Sequence, residues 1–150
     1  MTTIAYDGKG VVAYDSRVTR GSYIEDDEAD KHVEVDGWHF FFCGSSTDLE
    51  LLMKCFLGVL VPPERISASA GALVTDGVEI WSCAFIEDGG FEKVLESKHK
   101  KLAMGSGSHH AITAMDLGCS AVDAVKAAAK RDANTGGKIR KMQVFKGIYG

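Results

Sequence analysis

Residues 31–47 read KHVEVDGWHFFFCGSST, and their pattern sets the fold class. Two runs rich in β-branched and aromatic residues, 31–35 and 38–43, flank Asp36-Gly37, which predicts a tight β-hairpin. Phe40-Phe41-Phe42 is apolar at successive positions, so both faces of its strand are apolar. A strand of that kind is buried between layers. Gly44-Ser45-Ser46-Thr47 breaks the strand. Thr47 followed by Glu50 has capping-box spacing, which makes Thr47 the expected N-cap of a helix. Leu49, Leu52, Met53, Phe56 and Leu60 recur at helical spacing, and Pro62-Pro63 stops that helix.

Towards the N-terminus, runs 3–6 and 11–14 flank Asp7-Gly8-Lys9-Gly10 and predict another hairpin, with Asp15 ending its second strand. Residues 16–30 read as a polar loop whose acidic run, 25–30, is a solvated surface. Towards the C-terminus, strands are expected at 70–75, 78–86, 91–97 and 101–104. Gly105-Ser106-Gly107 is a break. Helices follow at 108–117 and 120–132, with Ser120 and Asp123 spaced as a second capping box. Residues 134–137 form a tight turn before a last strand at 139–146. Hairpin-built sheets with helices in separate blocks mean α+β rather than alternating α/β. No repeat, linker or low-complexity segment divides the chain, so residues 1–150 read as a single domain.

The 150 residues carry a net charge of −4, with hydrophobic residues at 45% and charged residues at 25%. This is ordinary for a soluble globular protein. The charge argues against nucleic-acid binding, which needs clustered Lys and Arg. The short basic stretches at 98–101 and 138–141 read as solvated strand ends. Cys43, Cys55, Cys83 and Cys119 show no metal-ligand spacing, and three lie in apolar runs. Reduced, buried thiols in a cytoplasmic protein are expected. His109-His110 is a poor chelate, because neighbours on a helix point about 100° apart; a helix surface is expected there. The start, MTTIAYDG, lacks the basic and apolar regions of a signal peptide. No apolar run reaches the ~18 residues of a membrane span. The chain is therefore expected to start at its mature end, off the membrane.

That start carries the first chemical signal. A small residue after Met1 permits removal of the Met, leaving Thr2 with a free α-amine. Such an amine titrates near 7.7–8.0 when unperturbed, so it can take the proton of its own hydroxyl. A Thr hydroxyl needs a base of this kind to act as a nucleophile. Lys31, opening a predicted inner strand, would favour the deprotonated hydroxyl electrostatically. Asp15, ending another strand, is a natural partner for it. Gly44, between a buried strand and a helix, offers a backbone N–H to an oxyanion. Each of these signals is commonplace alone.

Their order is not. The pattern TTIAY…AYDSR…DKHVEV…FFFCGSSTD…MGSGSHHA…KRDANTGG resembles the proteasome β subunits and the HslV-type peptidases, from Thr2 to Gly137. RDANTGG is the most specific match. The resemblance implies a four-layer αββα sandwich of the N-terminal-nucleophile (Ntn) hydrolase type. It implies Thr2 as nucleophile with its α-amine as proton shuttle, Lys31 lowering the hydroxyl pKa, and Asp15 orienting Lys31. Gly44 would be the oxyanion donor, and Ser106, Asp132 and Thr135 a polar network around the amine. Thr19 and Ser46 match positions whose main chain pairs with an extended peptide substrate. Ala29 and Phe42 match pocket-lining positions. No cofactor is required; the resemblance implies at most a structural monovalent or divalent cation, on the carbonyls of Ala129, Asp132 and Thr135. The implied partners are a peptide or unfolded protein substrate, further copies of the chain in a ring, and an ATPase unfoldase.

The chain departs from the family pattern in several places. The first hairpin is about three residues shorter than in HslV-type chains. Ser45 replaces the second glycine of the usual pair. A second long helix has no room between Gly58 and Ala70, and the C-terminus is short. The sandwich is thus expected to be shortened in its helical layers, which bears on ring assembly. Three functions fit the motifs: a ring-forming threonine peptidase, an Ntn amidohydrolase on short peptides or small amides without a ring, and a non-catalytic structural subunit. The presence of Thr2, Asp15, Lys31 and Gly44 together disfavours the third.

Overall fold

The computed structural model describes residues 2–60, 69–86 and 90–145. In chain order, β1 (Thr3–Tyr6), β2 (Val11–Tyr14), β3 (Val18–Arg20), β4 (Tyr23–Asp26), β5 (His32–Val35) and β6 (Trp38–Gly44) precede α1 (Leu49–Phe56). Then come β7 (Ala70–Thr75), β8 (Ile80–Ile86), β9 (Gly90–Glu96) and β10 (Leu102–Gly105). Helices α2 (Ser108–Asp116) and α3 (Ala121–Arg131) follow, and β11 (Arg140–Gln143) closes the order. One antiparallel sheet runs β10-β1-β2-β11 and a second runs β5-β6-β7-β8-β9. The fold class is α+β, as the hairpin pattern predicts.

Strand alternation divides the core into three apolar clusters. Ile4, Tyr6, Val12 and Tyr14 meet Phe41, Cys43, Leu73 and Ile80 of the other sheet. On the opposite faces of β1 and β2, Ala5 and Ala13 pack against Ala111, Met115, Ala121, Ala124 and Val125 of the helical hairpin. Small side chains on both partners let helix and sheet approach closely. Phe40 and Phe42 pack with Leu52 and Phe56 of α1. The Phe40–Phe42 run is thus buried on both sides, with Phe41 facing one cluster and its neighbours the other. Burial of each such ring contributes roughly 1.5–3 kcal/mol. None of the helices among the described residues is long and apolar enough to cross a membrane.

Several local expectations are corrected. The 16–30 loop contains the β3–β4 hairpin, with a register shift between Val18 and Thr19. Its strands are three and four residues long, and Tyr23 and Ile24 are exposed, so no burial pattern marks them. Thr47 is not an N-cap. The chain passes through a 3-10 turn at Ser46–Asp48 into α1, and Thr47 Oγ1 pairs with Ser45 Oγ at 2.8 Å. Backbone links to residue 69 impose this turn: Ser45 N–H donates to Ser69 O (2.6 Å) and Ser69 N–H to Asp48 Oδ2 (3.1 Å). Helix α1 ends at Phe56, leaving Leu60 beyond it and exposed. Strand β8 begins at Ile80 rather than residue 78, because Asp76 Oδ1 accepts the N–H groups of Val78 and Glu79. Strand β5 is an edge strand, not an inner one, and Lys31 immediately precedes it. Ser120 does cap α3, accepting Asp123 N–H at 3.1 Å. Pro62-Pro63, most of the segment expected to have no room for a second helix, and Lys146 lie outside the described residues.

Candidate active site

The end of the β1–β2 hairpin brings Thr2 and Asp15 together. In the antiparallel register Ile4 faces Tyr14, so the residue before β1 and the residue after β2 emerge at one edge. Asp15 is buried and accepts from Thr3 N–H at Oδ1 (3.2 Å) and Gly136 N–H at Oδ2 (2.9 Å). Arg17 N–H also reaches Oδ2, at 3.4 Å, and Lys31 Nζ lies 2.8 Å from Oδ1. The same ammonium donates to Thr2 Oγ1 at 2.7 Å. Burial pushes the Lys31 pKa below the ordinary lysine value, and Asp15 opposes that fall. The triad Thr2–Lys31–Asp15 is thus assembled as the motif order implies.

A second polar chain reaches Thr2 from the other side. Thr2 N–H donates to Ser106 Oγ at 3.3 Å, and Ser106 Oγ–H donates to Asp132 Oδ2 at 2.5 Å. Thr135 Oγ1 also donates to Asp132 Oδ2, at 2.7 Å. Having given its proton there, Thr135 accepts from Thr3 Oγ1 at 2.7 Å. Thr135 therefore meets Thr3 and Asp132. Burial alone would raise the Asp132 carboxyl, but hydrogen bonds from Ser106, Thr135 and Asn134 N–H hold it below the usual range. Gly107 makes room for this arrangement: a Cβ there would lie 2.1 Å from Thr3 Oγ1.

Beside Thr2 opens a cavity of about 330 Å³. Val18, Phe42 and Leu49 supply an apolar wall; Thr19, Gly44, Ser45, Ser46 and Ser69 a polar one; Arg17, Lys31 and Cys43 also line it. Of the expected binding positions, Thr19, Ser46 and Phe42 line this cavity. Ala29 does not: its N–H donates to Ser16 O (3.1 Å) and its carbonyl accepts from Arg140 (2.9 Å). Gly44 has a φ of 97°, and a Cβ there would lie 2.4 Å from Ser69 O. The amide of Ser45 is committed to Ser69, so Gly44 is the residue of the pair whose amide the cavity can use.

Ala129, Asp132 and Thr135 occupy the end of α3 and the turn after it. The Asp132 carbonyl accepts Thr135 N–H at 3.0 Å, so one of the three carbonyls is already engaged. Among the described residues, no cluster of three or more His, Cys, Asp or Glu side chains could hold a metal ion. His109 and His110 are exposed on α2, as expected.

Arg17, Leu49 and Ser69 were not among the expected site residues. Arg17 pairs with Asp27 (2.8 and 3.2 Å) and donates to Ala133 O (3.1 Å), bridging the β3–β4 region to the turn after α3. Its place two residues after Asp15 was a usable signal. Ser69 had none, because only the β6–β7 pairing brings it to Gly44.

The fold is shared with solved structures. HslV from Trypanosoma brucei superposes with a TM-score of 0.70 at 19% identity, over 95% of this chain and 98% of that one. BPH from Thiobacillus denitrificans matches with a TM-score of 0.65 at 18% identity, over 95% and 96%. The same protein in complex with epoxomicin gives 0.65 at 17% identity, over 95% and 97%. No family model and no curated protein matches the sequence. The mixed α+β fold therefore matches these structures over nearly the full chain, at identities that show the fold alone.

Proposed function

We propose that the chain is an N-terminal-nucleophile threonine peptidase, on a four-layer αββα sandwich with shortened helical layers. The observation that carries this reading is the position of Thr2, whose hydroxyl meets Lys31 while its nitrogen meets the Ser106–Asp132 pair. Once Met1 is removed, that nitrogen is an α-amine adjacent to its own hydroxyl. It takes the hydroxyl proton as Thr2 Oγ1 attacks a peptide carbonyl. The Lys31 ammonium stabilises the developing alkoxide, and the Gly44 N–H donates to the oxyanion. The C–N bond breaks, the leaving amine departs with the proton, and Thr2 is left as an ester. Water, deprotonated by the same α-amine, hydrolyses the ester and restores the hydroxyl.

The substrate in this reading is an extended peptide or unfolded protein, seated along Thr19 and Ser46 with an apolar side chain towards Phe42. The chemistry uses no cofactor. A cation on the carbonyls of Ala129, Asp132 and Thr135 would be structural, supporting the turn that positions Asp132. The reading includes a cytoplasmic setting and a homo-oligomer, with an ATPase unfoldase feeding a closed ring; native mass spectrometry separates that ring from a monomeric or dimeric amidohydrolase.

The deciding experiment combines intact mass with turnover of fluorogenic peptides. Protein lacking Met1 should hydrolyse them, and Thr2→Ala should fold normally and hydrolyse none. Incubation with epoxomicin, the ligand of one matched BPH structure, should add its mass at Thr2. Undiminished hydrolysis by Thr2→Ala would falsify the reading.

A further inference from the structure

We propose that Arg140, with Tyr14 beside it, is a positioning residue for Lys31, fixing the backbone from which the ammonium reaches Thr2. This inference rests on the reading of Lys31 as part of a peptidase site.

Residues 28–31 lie between β4 and β5 and belong to no strand. Lys31 has one backbone tie to β6, its carbonyl accepting Phe42 N–H at 2.9 Å, but residues 28–30 before it lie in no ladder, although the Lys31 Nζ must satisfy Thr2 Oγ1 and Asp15 Oδ1 at once. Residues 28–30 are held largely by side chains from the other sheet. Arg140 Nη2 donates to Glu28 O at 3.0 Å, and Nη1 donates to Ala29 O at 2.9 Å. Tyr14 Oη donates to Asp30 Oδ1 at 3.1 Å, and the same oxygen accepts His32 N–H at 3.0 Å. Arg140 stands directly opposite Tyr14 in the β11–β2 register, so both side chains leave one face of the sheet. One cross-strand pair thus grips three successive residues, 28, 29 and 30, immediately before Lys31.

The grip is built from groups that keep their roles. Burial, then the charge of Asp30, pushes the Tyr14 phenol up to about 12, so it stays a donor. Arg140 Nη1 also donates to Ser16 Oγ, which in turn donates to Lys138 O at 2.5 Å. Ser16 O accepts Ala29 N–H, closing the frame. The guanidinium fork spans two consecutive carbonyls, a task that a lysine ammonium, as a point donor, does not reproduce. Neither Arg140 nor Tyr14 lines the cavity, so their removal should leave substrate binding intact and act through Lys31. A displacement of about 1 Å at a reacting group costs on the order of 10²-fold in rate.

The test uses Arg140→Met, Arg140→Lys and Tyr14→Phe in the full chain, with Lys141→Ala as a control on the same strand. Arg140→Met should lower kcat by roughly 10²-fold with KM unchanged, and Arg140→Lys should restore only part of it. The acidic limb of kcat/KM should move to higher pH, because a displaced Lys31 charge no longer favours the deprotonated α-amine. Loss of folded protein alone would leave that limb in place. Tyr14→Phe, which removes one hydroxyl and keeps the ring, should shift the limb the same way by less, and Lys141→Ala should not shift it. A folded Arg140→Met with unchanged kcat and limb overturns the proposal, as does a rise in KM at constant kcat. If Arg140→Met does not fold, an unshifted limb in Tyr14→Phe overturns it. A crystal structure of Arg140→Met, or of Tyr14→Phe in that case, provides a readout without turnover. Lys31 Nζ should leave hydrogen-bond distance of Thr2 Oγ1, and an unmoved Nζ overturns the positioning role. Displaced Nζ in a protein whose wild type hydrolyses no peptide would sink the peptidase reading and support the positioning.

Discussion

The Lys31 ammonium lies 2.7 Å from the Thr2 hydroxyl oxygen. It is held there by Asp15, a carboxylate with no exposed surface. Removing one member of such a pair leaves the other charge buried, at a typical cost of 3–5 kcal/mol. Lys31→Met should sit at the low end, about 3 kcal/mol, because Asp15 retains the N–H groups of Thr3 and Gly136. The double variant Asp15→Asn/Lys31→Met should recover part of that stability and no peptide hydrolysis. Urea denaturation with a double-mutant cycle checks the first expectation, and initial rates check the second. A double variant whose loss equals the sum of the Asp15→Asn and Lys31→Met losses would show that the pair is not coupled.

Gly44 combines a left-handed φ of 97° with contact against the β7 backbone. Alanine there has nowhere to put its Cβ without displacing Ser69, and the shift would carry the Gly44 amide with it. In the proposed reaction that amide is the oxyanion donor, worth about 10²–10³ in rate. Gly44→Ala should therefore lower kcat by that order while the folded population, read by near-ultraviolet circular dichroism, persists. Full activity in a folded Gly44→Ala protein would remove the amide from the mechanism.

These residues were visible in the sequence because each lies where an element changes. Asp15 ends a strand, Gly44 breaks one, and Asp132 caps the end of a helix. The hairpins at Asp7–Gly10 and Asp36-Gly37 and the doubly buried Phe40–Phe42 strand were legible for the same local reasons. What stayed hidden depends on distant backbone. Ser69 forces residues 46–48 into a 3-10 turn and so cancels the Thr47 cap. Arg140 takes the Ala29 carbonyl from 111 residues away, which leaves Ala29 as frame rather than pocket. The β3–β4 hairpin escaped notice because its strands bury little, and hydrophobic periodicity records burial.

Cys43 lines the cavity beside Lys31, yet burial pushes its thiol up to about 11. Cys83 is pushed up to about 12 for the same reason, and Cys55 is raised as well. Cys119 alone is exposed. Alkylation requires the thiolate and access to it. Iodoacetamide near neutral pH should therefore modify Cys119 and leave peptide hydrolysis unchanged, with all four thiols reacting only after denaturation. Peptide mapping by mass spectrometry reads the sites. Early modification of Cys43 with loss of activity would contradict the burial.

The Asp132 carboxyl supplies a pH dependence whose sign is fixed by its direction. Its hydrogen bonds with Ser106, Thr135 and Asn134 N–H outweigh burial, so its folded pKa lies below the ordinary value of 3.8. The unfolded chain then binds the proton more readily than the folded one. Stability from this group is present above the unfolded value and is lost as pH falls through the folded value. Asp132→Asn cannot make that contribution at any pH. The thermal midpoint of the wild type should therefore exceed that of Asp132→Asn by a steady margin from pH 7 down to about 5. The margin should shrink as pH falls below about 4. Other carboxylates also titrate there, but they are common to both proteins and cancel in the difference. Ser106→Ala, which removes one of the bonds holding the pKa down, should show a smaller margin over Asp132→Asn with the same sign. Calorimetric scans across that range are the measurement. A margin that stays constant to pH 3, or widens, would mean that Asp132 is not held ionised by these neighbours.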